Sequence, residues 1–201
     1  MPKLIIFDLD GTLVDSRKMY LDVIYKHLRQ HGYCFSKAYI NGKLGPKLQL
    51  MLSGLKVRKI NEMSREINKE VETRKVKPCP KLSYYRKTSK IYKTCLLTNS
   101  TRRFASNTTR KFKLKFDSIY GGEDFRDKVE GLRYIGKKYD IEMKDIVYVA
   151  DRMHDIQLAK LAGCRYIIVR ACSWDKKRLG KIKDRFVLSD LSKVYQVLNK
   201  L

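Results

Sequence analysis

Two aspartates, Asp8 and Asp10, stand one residue apart between the apolar run Leu4-Ile5-Ile6-Phe7 and the pair Gly11-Thr12. A carboxylate is costly to bury, and two at the end of a buried strand call for a cation or a reaction to justify them. Further along, Thr98 and Asn99 close the stretch Ile91 to Leu97. Asp151 closes Ile146 to Ala150, and Asp155 follows four residues later. Carboxylates gathered without His or Cys partners suit a hard cation with oxygen ligands, a description that Mg2+ fits. Asp155 falls near the start of a helix, where the dipole favours a negative side chain.

These groups meet only if the strands that end in them run parallel. Leu4 to Phe7 has no polar interruption, the pattern of a strand covered on both faces. Beyond residue 82 the spacing predicts strands over Ile91 to Leu97, Phe116 to Tyr120, Ile146 to Ala150 and Tyr166 to Val169. Between them it predicts helices over Thr101 to Phe112, Asp124 to Tyr139, and Met153 to Ala162, the last stopped by Gly163. A closing helix carries Leu191, Val194, Val197, Leu198 and Leu201. The alternation implies an α/β fold, a Rossmann-like doubly wound parallel sheet whose ligand crevice lies at the carboxyl ends of the strands.

Residues 16–81 follow a different rhythm. Tyr20, Ile24 and Leu28 recur at spacing four, and Gly32 is a plausible stop. A loop with Gly42, Gly45 and Pro46 follows, with Pro46 opening a short helix that holds Leu48 to Leu52. Val57, Ile60, Ser64, Ile67 and Val71 trace a second long face, ended by Pro78-Cys79-Pro80. The expected organisation is a core of residues 1–15 and 82–201 with an all-helical cap, 16–81, inserted.

At 201 residues the chain has room for one good core and a small appended domain. Its 43% hydrophobic content excludes a disordered chain. No run approaches the roughly 18 apolar residues of a membrane span. One lysine and Leu4 to Phe7 ahead of the first aspartate are too little for a signal peptide. The five cysteines, Cys34, Cys79, Cys95, Cys164 and Cys172, form no CxxC pair, so a reducing cytoplasm is the expected home. The charge is unusual: 45 basic against 21 acidic residues, a net +24. Residues 83–115 hold ten Lys/Arg and no Asp/Glu, interleaved with Tyr84, Tyr85, Tyr92, Phe104 and Phe112. That pattern reads either as a lysine-rich solvated surface or as a field for phosphorylated molecules, nucleic acid included.

Taken in order, Asp8-Leu9-Asp10-Gly11-Thr12-Leu13-Val14-Asp15-Ser16, Thr98-Asn99, Lys128 and Ala150-Asp151-Arg152-Met153-His154-Asp155-Ile156 resemble the four motifs of the haloacid-dehalogenase-like phosphohydrolases. The run Ala159 to Gly163 resembles the segment after that family's fourth motif, and the helical insert resembles the cap of its phosphoglycolate-phosphatase-like branch. Val129 stands where the family often has proline, and Ala150 where it usually has glycine. The resemblance implies Asp8 as nucleophile forming an aspartyl-phosphate and Asp10 as acid and then base. It implies Mg2+ held by Asp8, the Asp10 backbone carbonyl, Asp151 and Asp155, with Thr98, Asn99 and Lys128 on the phosphoryl oxygens. Arg152, Met153 and His154 receive no role, and Trp174 reads as packing or surface loop.

The leading expectation is a Mg2+-dependent phosphatase of a small phosphorylated metabolite, with phosphoglycolate the candidate that the resemblance suggests. Asp10 argues against a dehalogenase, which needs no acid for an alkoxide leaving group. A phosphomutase ranks lower, because nothing in the insert points to a bisphosphate cycle. The rival from another class is a nucleic-acid-binding or nucleic-acid-phosphate-processing protein on the same fold, suggested by residues 83–115.

Overall fold

The computed structural model describes residues 1–198 and 200. In chain order, β1 (Leu4–Phe7) and the two-residue β2 (Val14–Asp15) precede four helices. These are α1 (Arg17–Gln30), α2 (Lys37–Lys43), α3 (Leu48–Gly54) and α4 (Ile60–Val71). Then come β3 (Lys77–Pro78), α5 (Ser83–Thr88), β4 (Lys93–Leu97), α6 (Arg102–Lys111), β5 (Ser118–Tyr120) and α7 (Lys128–Lys138). A 3-10 turn, Met143–Asp145, leads into β6 (Ile146–Ala150), α8 (Met153–Ala162) and β7 (Arg165–Val169). The chain closes with α9 (Lys176–Leu179), β8 (Val187–Leu188) and α10 (Leu191–Leu198). Leu201, the last residue of the expected closing helix, lies outside the described residues.

Six strands form one sheet in the order β5-β4-β1-β6-β7-β8. Every pairing in it is parallel. Strand β1 sits at the centre, with Phe7 opposite Leu96 on one side and Val149 on the other. Its alternation splits the core in two. Ile5 and Phe7 pack with Leu96, Val147, Val149, Ile167 and the α10 residues Leu191 and Val194. Leu4 and Ile6 pack with Cys95, Tyr148, Ile168, Leu132 and Ile135. The first layer runs on through Leu9, Leu13 and Val14 to Ile24, Leu28, Met63 and Ile67 of the helical insert. Each such side chain contributes about 1.5–3 kcal/mol on full burial.

The insert leaves and rejoins the sheet at neighbouring points, because β2 and β3 pair antiparallel, Val14 opposite Pro78. Gly42, expected in a loop, lies inside α2. The Ser36 side chain caps that helix by accepting from the Tyr39 amide at 3.2 Å, and Ile40 is fully buried beneath it. Helix α4 starts at Ile60 rather than Val57, because Lys56 and Lys59 take left-handed backbone angles. Helix α7 starts at Lys128 rather than Asp124. Asp127 caps it, accepting from the Glu130 amide at 2.9 Å, while Asp124 instead accepts from the Gly121 amide at 2.7 Å. None of the described helices is long and apolar enough to cross a membrane.

Candidate active site

The ends of β1, β4 and β6 deliver Asp8, Thr98 and Asp151 to one edge of the sheet. Asp8 extends the β1 ladder by one bond, its amide donating to Val149 O at 2.8 Å. Its Oδ1 accepts from the Leu9 amide at 2.8 Å. Its Oδ2 lies 2.9 Å from Lys128 Nζ. Lys128 is the first residue of α7, so the Asp127 cap sets its position. The same ammonium lies 3.5 Å from Asp155 Oδ1 and donates to Tyr148 Oη at 2.7 Å. Tyr148 Oη donates in turn to Asp155 Oδ1 at 3.3 Å. Asp155 Oδ2 accepts the Arg152 amide at 3.1 Å, holding the first turn of α8 against the site.

Asp10 has different company. Its Oδ1 accepts from Ser16 Oγ at 2.5 Å. Its Oδ2 accepts from Ser100 Oγ at 2.5 Å and Thr98 Oγ1 at 3.1 Å. Tyr20 of α1 reaches down to Ser100, Oη to Oγ 2.6 Å. Asn99, expected on phosphate, donates its Nδ2 to Gly45 O at 3.0 Å while still lining the same cavity. It therefore joins the β4 edge to the insert in this conformation.

Oxygens of Asp8, Asp151 and Asp155 all lie within 4.8 Å of one another, and all three residues are buried. Asp151 Oδ2 accepts from the Trp174 amide at 2.9 Å, but its Oδ1 is buried with no partner. An unsatisfied buried carboxylate oxygen facing two more carboxylates fits a divalent cation with oxygen ligands. Gly11, with φ +81°, keeps this space open: a Cβ there would stand 2.3 Å from Asp151 Oδ2. The Asp10 carboxylate is outside the trio, turned toward its hydroxyls.

Burial, opposed by Lys128, pushes the Asp8 carboxyl up to about 6. Burial also raises Asp10, against the three hydroxyls, and raises Asp151 well above the carboxylate range. For Lys128, burial disfavours the charge, but Asp155 and Asp8 outweigh it and hold the ammonium above its usual value. Lys128 is thus a fixed cation whose charge opposes the rise that burial imposes on Asp8.

The cavity above these groups is walled by Tyr20, Leu44, Leu48, Met51, Leu158 and Trp174, with Arg152 and His154 at its polar side. Trp174 is therefore a wall of the site, 6.3 Å from the Tyr20 ring, rather than a surface loop residue. Gly45, at φ +123°, lets Arg152 pass, since a Cβ there would overlap the guanidinium. Sequence reasoning missed Ser16, Tyr20, Ser100 and Tyr148 as site residues. Tyr148 left a signal, being a hydroxyl inside the apolar strand Ile146–Ala150, where burial demands a hydrogen-bond partner.

Comparison with known proteins agrees with this geometry. The profile of the haloacid dehalogenase-like hydrolase family matches residues 5–169. A phosphoglycolate phosphatase of Aquifex aeolicus (strain VF5) is 26% identical over 209 residues, covering 98% of this chain and 97% of its own. A haloacid dehalogenase-like family hydrolase from Streptococcus pneumoniae superposes with a TM-score of 0.82 at 17% identity, covering 98% of each chain. The structure described as a predicted phosphatase from Clostridium acetobutylicum also gives 0.82, at 18% identity and 100% coverage of both.

Proposed function

This chain belongs to the haloacid dehalogenase-like hydrolase family, and from that premise we propose that it is a Mg2+-dependent phosphatase that hydrolyses a small phosphomonoester through an aspartyl-phosphate. The observation that carries the reading is the contrast at one strand end. Asp8 is paired to a buried ammonium, while Asp10, two residues on, is enclosed by three hydroxyls. Burial raises both carboxyls, but Asp8 has an ammonium beside it to balance its charge, whereas the nearest partners of Asp10 are hydroxyls. Those are the needs of a nucleophile and of a general acid.

In the first half-reaction an Asp8 oxygen attacks phosphorus, the ester P–O bond breaks, and Asp10 gives its proton to the departing alkoxide. In the second, Asp10 takes a proton from water as that water attacks phosphorus. The Asp8–phosphorus bond breaks and inorganic phosphate leaves. Lys128 balances the charge of Asp8, and the Thr98 hydroxyl stands beside the transferred group. Asp8, Asp151 and Asp155, with the Asp10 carbonyl, would hold Mg2+. When bound, that ion supplies the positive charge that lets an anionic carboxylate meet an anionic phosphoryl group. Asn99 serves the phosphoryl group once its bond to Gly45 is exchanged.

Residues 16–81 act in this reading as a cap that excludes water and large chains. Phosphoglycolate is one substrate to test, because the Aquifex relative carries that name. The test is hydrolysis of p-nitrophenyl phosphate followed by a panel of small phosphomonoesters. Turnover that requires Mg2+, stops with EDTA and is absent in Asp8→Asn supports the proposal. No turnover by folded protein with Mg2+ across the panel overturns it.

A further inference from the structure

Two of the chain's three histidines, His27 and His31, are one helical turn apart at the end of α1, and both face α4. Opposite them α4 presents Glu66 and Glu70, also one turn apart. His31 Nε2 lies 2.8 Å from Glu66 Oε2. His27 lies between the two glutamates, with Nε2 at 3.0 Å from Glu70 Oε2 and Nδ1 at 3.6 Å from Glu66 Oε2.

The His27 ring is the telling part. A carboxylate can only accept, and Lys26 and Arg74 hold Glu70 as an anion, its carboxyl pulled down to about 2. His27 Nε2 must therefore donate to it. That leaves the Nδ1 of a neutral ring as a lone pair aimed at the Glu66 carboxylate, acceptor against acceptor. A cation between them removes the conflict. A carboxylate fixing the far nitrogen of an imidazole is also the usual support for a metal-bound histidine.

We propose that His27 Nδ1, His31 Nε2 and Glu66 form a site for a borderline transition-metal dication of the Zn2+ class, clamping α1 to α4. The three side chains place their ligand atoms within 4.8 Å of one another. Tetrahedral zinc with bonds of about 2 Å keeps its ligand atoms roughly 3.3 Å apart. The observed 2.8 and 3.6 Å bracket that spacing. Two imidazoles and one carboxylate leave a fourth position for water, and imidazole donors separate this site chemically from the all-oxygen trio under the cavity. The positive neighbours Lys26 and Arg74 are taken up by Glu70, so Glu66 is left to the ion. The clamp joins the helices that carry Tyr20 and Asn68 to the cavity wall.

The test titrates full-length protein with ZnCl2 by calorimetry, with millimolar Mg2+ present throughout, and records the visible spectrum with Co2+ as a second probe. The expected result is one equivalent bound with a low-micromolar dissociation constant and tetrahedral Co2+ bands. His27→Gln, His31→Gln and Glu66→Gln should each weaken binding by about tenfold or more, and Glu70→Gln, which acts through the His27 ring, by about tenfold. Zn2+ should raise the melting temperature of the parent and not of His31→Gln, a surface change that leaves the fold intact. Binding unchanged in His31→Gln would assign the ion to another site and overturn the proposal. No binding at all would overturn it as well.

Discussion

Asp8 and Asp10 show how two identical side chains on one strand end acquire different tasks. The difference lies in what surrounds each carboxylate: an ammonium for one, hydroxyls for the other. Asp8→Asn keeps the shape and the Leu9 contact but removes the nucleophile, so turnover should fall to background and no phosphorylated protein should form. A variant retaining a tenth of the parent rate would exclude Asp8 from that task. Asp10→Asn should lower kcat by about 100- to 10,000-fold, the usual worth of a positioned acid or base. Asp151 makes a second test. Three buried carboxylates share one buried ammonium, and Asp151 Oδ1 has no partner. In EDTA, Asp151→Asn should therefore melt higher than the parent, by a few degrees for about 1 kcal/mol. Added Mg2+ should raise the parent's melting temperature and leave the variant's unchanged. A variant that melts lower in EDTA would show that the trio carries no electrostatic strain.

At the scale of elements, the start of α7 decides the site. Its cap places Lys128 where Nζ reaches Asp8, so the loss of the cap should be felt in both stability and rate. Asp127→Ala should cost about 1 kcal/mol, seen as a melting temperature lower by roughly 2–4 °C, and should reduce kcat more than the cap-competent Asp127→Asn does. The cap also has a pH signature. The hydrogen bond from the Glu130 amide holds the Asp127 carboxyl below its ordinary value of 3.8. A group depressed by folding adds stability above its unfolded value and loses it as pH falls through its folded value. The parent should therefore lose stability below about pH 4 more steeply than Asp127→Asn, in melts taken across that range. Parallel slopes for the two proteins would remove the cap as the cause. The same logic explains where pattern reading went astray. The spacing predicts a helix from Asp124, yet the Asp124 carboxylate is engaged by the Gly121 amide and Arg102.

Across the whole molecule the net charge is +24, and residues 83–115 carry a dense share of it. The aromatics that interleave residues 83–115 do not form an exposed platform. Tyr85, Tyr92 and Phe104 are buried, and Tyr84 and Phe112 pack against the same core. The basic residues there form a surface field in which Lys87, Lys93 and Lys111 lie over the rings of Tyr84, Tyr139 and Phe112, an arrangement that suits attraction of small anions better than reading of bases. For an anionic phosphomonoester, kcat/KM should fall as NaCl rises from about 20 to 200 mM while kcat holds, because the screening length shrinks to below about 10 Å. A flat profile would show that the field does not reach the site. Tight, strongly salt-dependent binding of nucleic acid would instead favour the rival reading.

Much of this architecture follows from local pattern. Four apolar residues ending in Asp8, and similar runs ending in Thr98 and Asp151, specify buried parallel strands, and parallel strands must bring their carboxyl ends together. That reasoning reaches the carboxylates, the α/β layering and the helical insert, because strand burial and helical periodicity are written in neighbouring residues. It does not reach Ser100 on Asp10, Tyr148 between Lys128 and Asp155, or the Trp174 wall, and among 45 basic residues only the family resemblance singles out Lys128. Nothing in the chain near Lys128 distinguishes it from a solvated lysine; its partners, Asp8 and Asp155, are 120 and 27 positions away. A side chain's charge state and task depend on what is packed around it, and for these residues that company is assembled only when the sheet, α7, α8 and the insert close on one another.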